Sequence, residues 1–139
     1  MKKPLVVFVC THNACRSQIA EALASRFASD VFSAASAGTK IKDKINPDAV
    51  RLMKQVYGID MEKNGQYPKH LDAVTGADYV VTMGCGVKCP YDPARSHQDW
   101  GLEDPSGKSD EEYLRVIRQI HNKVMDLKQQ IMDAETRNT

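Results

Sequence analysis

The segment that most constrains the fold is an apolar run that stops at a cysteine and is followed closely by a helical pattern. Residues 5–10 read LVVFVC, a continuous valine-rich run that is typical of a strand buried on both faces. From Ser17 onward the pattern becomes helical, with one apolar face formed by Ile19, Ala20, Leu23 and Phe27. A buried strand that leads through a short turn into a helix favours an α/β fold with a parallel sheet.

The alternation of strand and helix continues along the chain. Residues 31–35 are a weak strand candidate. A second helix is delimited by Asn46 as its N-cap, Pro47 at its first position and Gly58 after its end. Residues 60–76 resemble a loop with one short helix, and residues 79–83 form the next clear strand.

The last third of the chain combines a long loop with a long helix. Residues 90–110 are dense in Pro, Gly, Asp and Ser, which predicts a surface loop, and loops of this length usually belong to a functional site. The final helix carries an apolar stripe, as expected of a helix that covers the core: Tyr113, Ile117, Ile120, Val124, Leu127 and Ile131. No repeat or second domain is evident, so we predict one domain over residues 1–139.

Charge and hydropathy exclude several classes of partner. The formal net charge is +1, so no basic field indicates nucleic acid or an anionic membrane. The longest apolar run, residues 5–10, is far too short to span a membrane or to serve as the core of a signal peptide. We therefore predict a cytoplasmic protein with neither nucleic acid nor membrane as a partner.

The turn between the first strand and the first helix has the composition of an anion-binding site. Such a turn directs several backbone N–H groups into one space at the positive end of a helix, and Arg16 adds a planar fork of donors. Cys10 lies at the start of this turn, and cysteine thiols in such positions have pKa values of roughly 3.5–7.5. The Ser17 hydroxyl can donate a hydrogen bond to the thiolate. Together these groups predict a nucleophile directed at a bound oxyanion. The plainer alternative is a buried cysteine, a surface arginine and a serine that only caps the helix.

Several motifs resemble one family. The segment CTHNACRSQIAEA resembles the phosphate-binding loop of the low molecular weight protein tyrosine phosphatase fold, and NACRSQ, NPDAV and DWGLEDPSGKSDEEY are similar to the arsenate reductases of that fold. The resemblance implies a flavodoxin-like, three-layer α/β sandwich around a four-stranded parallel sheet. It also implies Cys10 as nucleophile, Arg16 as anion clamp, Ser17 as thiolate stabiliser and Asp104 as general acid. The implied oxyanion-binding loop comprises Thr11, His12, Asn13, Ala14, Cys15 and Arg16.

Two features depart from the pattern of the family. His12 stands where many loops of the family have glycine, and we expect its side chain to point to solvent; the alternative is that it tunes Cys10 electrostatically. Some members bind potassium near the loop, and Asn13, Glu21 and Ser36 match ligand positions of that site. The acidic residue expected at 65–68 is missing, where the chain reads GQYP, so we predict no metal site.

A second cysteine pair distinguishes a reductase from a phosphatase. A phosphatase of this fold needs no thiol outside the loop, whereas MGCGVKCP supplies Cys85 and Cys89. In the reading that the resemblance implies, Cys85 resolves a thiol–arsenate adduct on Cys10, and the disulfide then passes to Cys85–Cys89 for reduction. Gly84 and Gly86 would give this segment backbone freedom. We expect Cys15 to be a packing or protective thiol outside the relay.

The predicted function is therefore reduction of arsenate to arsenite without a bound cofactor. The reductant would be thioredoxin or a low-molecular-weight thiol, and we expect a monomer. The spacing of Cys85 and Cys89 is shorter than in thioredoxin-coupled members, which leaves the donor open. The alternatives are a phosphatase that acts through a phosphocysteine, and a non-catalytic oxyanion-binding or redox-sensing protein. For Cys85 and Cys89 themselves, a zinc site, an inert buried pair and structural disulfides are further alternatives.

Overall fold

The computed structural model describes residues 3–84 and 96–137. In the described residues the strands are β1 (Leu5–Cys10), β2 (Ser33–Gly38), β3 (Tyr79–Thr82) and β4 (Ser96–Asp99). The helices are α1 (Arg16–Phe27), α2 (Pro47–Tyr57) and α3 (Asp110–Arg137), with a short 3-10 helix at Leu71–Ala73.

The described strands form one parallel sheet in the order β2-β1-β3-β4. The central strand β1 is buried because it has a neighbour on each side, which explains its continuous apolar sequence. The predicted α/β class and four-stranded parallel sheet are confirmed. Because all strands point the same way, the end of β1 at Cys10 lies on the edge of the sheet where open α/β folds bind ligands.

Each face of β1 contributes to a separate part of the core. Val6 and Phe8 face a large cluster that includes the buried stripes of the helices, whereas Val7 and Val9 face a smaller cluster with Leu71 and Val74. The stripe predicted for the last helix is confirmed, since all of its members are almost completely buried: Tyr113, Ile117, Ile120, Val124, Leu127 and Ile131. Among the described helices, none combines the length and apolarity that a membrane crossing requires.

Most predicted boundaries agree with the structure. Helix α2 has the predicted cap, in which the Asn46 side chain accepts a hydrogen bond from the Asp48 amide at 2.9 Å, and Gly58 ends the helix at a φ of 68°. Helix α1 begins at Arg16, one residue before the predicted start. The second strand was predicted at residues 31–35 but forms at Ser33–Gly38, because its small residues carry almost no alternating pattern.

One strand contradicts the prediction from the residue pattern. Residues 90–110 were predicted to be a surface loop, but Ser96–Asp99 pairs with β3 as the strand at the end of the sheet order. Its sequence, SHQD, has no apolar residue, and a strand with one neighbour does not need the hydrophobic signal of a buried one. The four-stranded sheet therefore followed from the family resemblance and not from the pattern.

Candidate active site

The site is a cavity of about 650 Å³ at the end of β1. Its wall includes several residues of the predicted oxyanion-binding loop, together with Asp104: Cys10, Thr11, His12, Ala14, Cys15 and Arg16. Two of its carbonyl groups anchor the loop to the segment that follows β2, since Thr11 and Ala14 accept hydrogen bonds from the amides of Lys40 and Asn46 at 2.8 and 2.7 Å. Carbonyl groups that are already bound in this way are held in place, as a preformed anion-binding loop requires.

Cys10 makes a close contact with the residue that was predicted to stabilise it. Its Sγ lies 2.9 Å from the Ser17 Oγ, and the Asn13 Nδ2 donates to the same Oγ at 2.8 Å. A hydroxyl has a single hydrogen, and an amide donor already occupies a lone pair on this oxygen, so the hydrogen is free to point at the sulfur. Ser17 therefore contacts the sulfur and does not cap the helix; the N-cap of α1 is Cys15.

Arg16 is held by backbone groups that follow two different strands. Its Nη1 donates to the carbonyls of Met83 and Leu102 at 2.9 and 2.7 Å, while Nη2 lies 4.0 Å from the Asp104 Oδ2. Arg16 is 8% exposed, which means that the orientation of its guanidinium is fixed before any anion arrives. Met83, after β3, and Leu102, after β4, are both distant from Arg16 in sequence. The orientation of the Arg16 guanidinium therefore depends on the folded chain.

Asp104 is half-exposed at the mouth of the cavity. Burial raises the pKa of its carboxyl group, but hydrogen bonds from Ser106 and the charges of Arg16 and Lys42 outweigh this effect, so the pKa is lowered overall. The Ser106 amide donates to Asp104 Oδ1 at 3.0 Å. Asp104 is therefore a carboxylate in the free protein. A bound anion would raise its proton affinity through like-charge repulsion, and this is when it would take the role of an acid.

Cys15 differs from Cys10 in its surroundings. Its Sγ donates to the Tyr113 hydroxyl over 3.6 Å, and burial raises the pKa of the Cys15 thiol to about 12. Burial also raises the pKa of Tyr113. Cys15 is therefore a neutral thiol at physiological pH, which favours the predicted packing role.

The remaining predicted residues fall around the loop. His12 is exposed, as predicted, and Asn13 is fully buried behind the cavity. Glu21 and Ser36 do come together, because the Ser36 hydroxyl donates to Glu21 Oε1 at 2.7 Å. The same carboxylate oxygen lies 3.6 Å from the Lys69 Nζ, so the charge of Glu21 is paired with an ammonium group. In the described residues, no cluster of three or more His, Cys, Asp or Glu side chains is suited to a metal.

Cys85 and Cys89 lie outside the described residues, and so does Gly86. Gly84 is described and has a structural role that the sequence did not indicate. Its φ is 87°, and a Cβ atom there would lie 2.7 Å from the Gly101 Cα and from the Leu102 nitrogen. A residue with a side chain would therefore not fit at position 84, next to the Leu102 backbone that Arg16 contacts. Close packing requires this glycine, in addition to the backbone freedom that the sequence suggested.

Several residues of the site were not predicted from the sequence. Lys42, Asn46 and Ser106 line the cavity, and Gln18 and Lys69 lie behind the loop next to Asn13. Ser106 is within the segment DPSG and two residues from Asp104, where a short side-chain turn is common. No local pattern distinguishes Lys42 or Lys69 from the other lysines.

Comparison with known proteins gives a consistent result over nearly the whole chain. A model of the low molecular weight phosphotyrosine protein phosphatase family matches residues 5–137. The arsenate reductase of Shouchella clausii is 36% identical over 131 residues, which cover 89% of this chain and 91% of that protein. The arsenate reductase of Bacillus subtilis is 35% identical over 136 residues, covering 91% and 96%.

Solved structures show the same similarity. An arsenate reductase in the phosphate binding state has a TM-score of 0.83 at 34% identity, with 94% of this chain and 99% of that chain covered. A thioredoxin-dependent arsenate reductase of Corynebacterium glutamicum has a TM-score of 0.79 at 34% identity, covering 96% and 64%. A low molecular weight protein tyrosine phosphatase from T. tengcongensis has a TM-score of 0.79 at 27% identity, covering 92% and 99%.

Proposed function

This chain belongs to the low molecular weight phosphotyrosine protein phosphatase family, and we propose that within this family it is an arsenate reductase that depends on an external thiol. The main observation in support of this proposal is the position of Cys10. Its sulfur contacts the Ser17 hydroxyl, and Cys10 lines the same cavity as Arg16. The choice of arsenate is supported by relatives of about this length that are named arsenate reductases.

The first step is attack of the Cys10 thiolate on the arsenic atom of bound arsenate. The loop N–H groups and Arg16 hold the oxyanion, and the hydrogen bond from Ser17 stabilises the negative sulfur before attack. An S–As bond forms while an As–O bond breaks, and the departing oxygen takes up protons and leaves as water. Asp104 transfers one of these protons, a role that is supported by its position beside Arg16 and in the lining of the cavity.

The second step supplies the two electrons. The Cys85 thiolate attacks the Cys10 sulfur, an S–S bond forms, and the electron pair of the S–As bond remains on arsenic. As(V) becomes As(III), and arsenite leaves. Cys89 then attacks Cys85, which frees Cys10 and leaves a Cys85–Cys89 disulfide. Thioredoxin or a low-molecular-weight thiol reduces that disulfide and restores the enzyme; a relative of similar structure is named thioredoxin-dependent.

The compartment and the oligomeric state complete the proposal. A relay of free thiols needs a reducing environment, so we place the protein in the cytoplasm. We further propose that the protein acts as a monomer. Size-exclusion chromatography with light scattering checks this state, and a dimer that has higher specific activity than the monomer would contradict it.

A coupled assay tests the reaction. Pure protein is given arsenate, thioredoxin, thioredoxin reductase and NADPH, and a parallel sample receives p-nitrophenyl phosphate. We expect NADPH oxidation that depends on arsenate. A parallel assay with a low-molecular-weight thiol in place of thioredoxin identifies the donor. Release of nitrophenol without arsenate-dependent oxidation with either donor would show a phosphatase, and inactivity with both substrates would indicate an oxyanion-binding protein.

The relay is tested by a Cys85→Ser variant. We expect it to release no more than one arsenite per enzyme, because arsenite can then leave only if Cys89 attacks the Cys10 adduct in place of Cys85, while Cys10→Ser releases none. Sustained turnover of Cys85→Ser with thioredoxin alone would show that the proposed relay is wrong. Since neither phosphate ester attack nor its hydrolysis needs Cys85, slow hydrolysis of p-nitrophenyl phosphate by this variant serves as the control for an intact cavity.

The phosphatase remains the second candidate because the cavity contains the groups that phosphate ester hydrolysis needs. Cys10, Arg16 and Asp104 lie around one space. The T. tengcongensis relative is named a phosphatase and has the same fold. The parallel assay above separates the two candidates directly.

A further inference from the structure

Behind the oxyanion-binding loop, residues 66–69 pack against Asn13 and Gln18. We propose that this segment, called the strap here, is a positioning element that sets the reactivity of Cys10 through Gln18 and Asn13 and is anchored by Lys69. The proposal deepens the proposed function, on which it rests, by assigning roles to residues that touch neither the cavity nor the sulfur.

The chain of contacts begins at Asn13. This residue is fully buried and has a φ of 50°, a backbone conformation that non-glycine residues adopt only when their surroundings hold them there. Its Nδ2 donates to Ser17, which contacts the Cys10 sulfur. The direction of the Asn13 amide therefore decides whether the Ser17 hydrogen is available to the sulfur.

The opposite end of the Asn13 amide is held by the strap and by Gln18. Asn13 Oδ1 accepts hydrogen bonds from the Lys69 amide at 2.9 Å and from the Gln18 Nε2 at 3.0 Å. With its oxygen bound by two donors, the amide has one favourable orientation, in which the Nδ2 faces Ser17. The strap thus fixes the amide of Asn13, which donates to Ser17, the residue that contacts the nucleophile.

Gln18 joins the loop to the strap. Its side chain is fully buried, and Nε2 lies 3.0 Å from the backbone carbonyls of both Asn13 and Tyr67. Gln66 donates in return to the Gln18 backbone carbonyl and to Gln18 Oε1, at 3.1 and 2.9 Å. Breaking one of these hydrogen bonds would leave a buried amide group without a partner, which costs free energy. The hydrogen bonds of Gln18 and Gln66 therefore stabilise one another.

The Lys69 side chain anchors the strap to α1. Its Nζ lies 3.6 Å from Glu21 Oε1, and the two side chains are 16% and 14% exposed. By comparison, the Lys54–Asp60 pair has a separation of 3.7 Å but exposures of 67% and 30%. Loss of the cation would leave the Glu21 carboxylate partly buried without its charge partner, which costs much more than the loss of an exposed pair.

Two variants loosen the strap without touching the cavity. Lys69→Met removes the anchor, and Gln66→Ala removes two hydrogen bonds to Gln18 while leaving every ion pair intact. Lys69→Arg keeps a cation at the anchor, and Lys54→Met is the matched control, because it removes a lysine–carboxylate pair far from the loop in sequence. Circular dichroism and thermal melting establish that each variant is folded; if Lys69→Met does not fold, Gln66→Ala decides.

The readout is the pH profile for alkylation of Cys10 by iodoacetamide, followed by peptide mass spectrometry, together with kcat and KM for arsenate. For Lys69→Met and Gln66→Ala we expect the midpoint of the profile to move up by about half to one pH unit, because a less directed Ser17 stabilises the thiolate less. We expect kcat to fall about three- to tenfold with little change in KM. Lys69→Arg should have a midpoint and a kcat close to those of the wild type, and Lys54→Met should match the wild type in both.

Unchanged profiles in both strap variants would overturn the proposal, and so would an equal shift in Lys54→Met. The alkylation profile is measured without arsenate, so its result does not depend on whether the protein reduces arsenate. A shifted profile in a protein that reduces no arsenate would refute the proposed function and leave the strap in place.

Discussion

Ser17 is the residue through which the loop acts most directly on Cys10. Its hydroxyl accepts a hydrogen bond from Asn13 and lies 2.9 Å from the sulfur, to which its hydrogen is free to point. The sequence offered two roles for this serine, thiolate stabiliser or helix cap, and the position of the helix start at Arg16 decides between them.

Ser17→Ala should slow the reaction at its first step. Hydrogen bonds to charged groups contribute about 1.5–3 kcal/mol, so we expect kcat/KM for arsenate to fall roughly ten- to a hundredfold. Ser25→Ala, on the exposed side of the same helix, is the control and should retain full activity. Equal rates for the two variants would show that the Ser17 contact does not matter for attack.

Cys15 should resist alkylation in the folded protein. Because its pKa is raised to about 12, it stays protonated at any pH well below that value, and at pH 8 about one molecule in ten thousand has a Cys15 thiolate. We expect iodoacetamide at pH 8 to modify Cys10 and leave Cys15 intact by peptide mass spectrometry. In urea, where burial is lost, Cys15 should react like an ordinary thiol; rapid labelling in the native protein would contradict the assignment.

At the scale of secondary structure elements, Arg16 connects the ends of three strands. It follows the loop that leaves β1, and it donates to carbonyls beyond β3 and β4. The amide of Leu102 also donates to the Met83 carbonyl at 3.2 Å, which joins the two acceptor segments to each other. The packing at Gly84 permits this approach of the backbones.

Gly84→Ala should destabilise the protein more than the same change at a glycine with open space around it. Gly76 has a similar φ of 79°, but no atom lies within 4 Å of the position that an added methyl group would take, so Gly76→Ala isolates the backbone cost, about 1 kcal/mol. At Gly84 the contacts at 2.7 Å add to that cost, and we expect about 2–4 kcal/mol in total and a drop in Tm of roughly 5–15 °C. Melting curves of the two variants measure the difference, and equal Tm values would refute the close packing.

At the scale of the whole molecule, the cavity is assembled from segments that are distant in the sequence. The loop after β1, residues 42–47, and the pair Asp104 and Ser106 all contribute to its lining. An oxyanion that binds here needs the folded arrangement, so it stabilises the native state by mass action.

Phosphate should raise the Tm of the protein, and above its Kd the stabilisation should grow with the logarithm of the phosphate concentration. At a concentration one hundred times its Kd, a ligand contributes about 2.7 kcal/mol, which corresponds to a rise of roughly 5–10 °C for a chain of this size. Arg16→Lys should lose most of this rise, because an ammonium group cannot reproduce the planar fork. Lys54→Met is the control and should keep it; a full rise in Arg16→Lys would show that phosphate stabilises the protein elsewhere.

The sequence by itself determined the parts of this protein that depend on local pattern. The short valine-rich run at Leu5–Cys10 favours a buried strand, the cap at Asn46 marks a helix start, and the apolar stripe of α3 indicates the face that packs on the core. The spacing from Cys10 to Arg16 predicts an anion-binding loop for the same reason, since all of the residues involved lie within one turn.

Only the tertiary structure decided what depends on contacts between distant residues. Strand β4 has no apolar signal and exists because β3 offers it backbone partners. The carbonyls that direct Arg16, the charges of Arg16 and Lys42 that help to lower the pKa of Asp104, and the amide of Lys69 that orients Asn13 are separated from their partners by dozens of residues. Hydrogen bonds and charge pairs of this kind act through space, and a linear pattern contains no record of which groups the fold brings within reach.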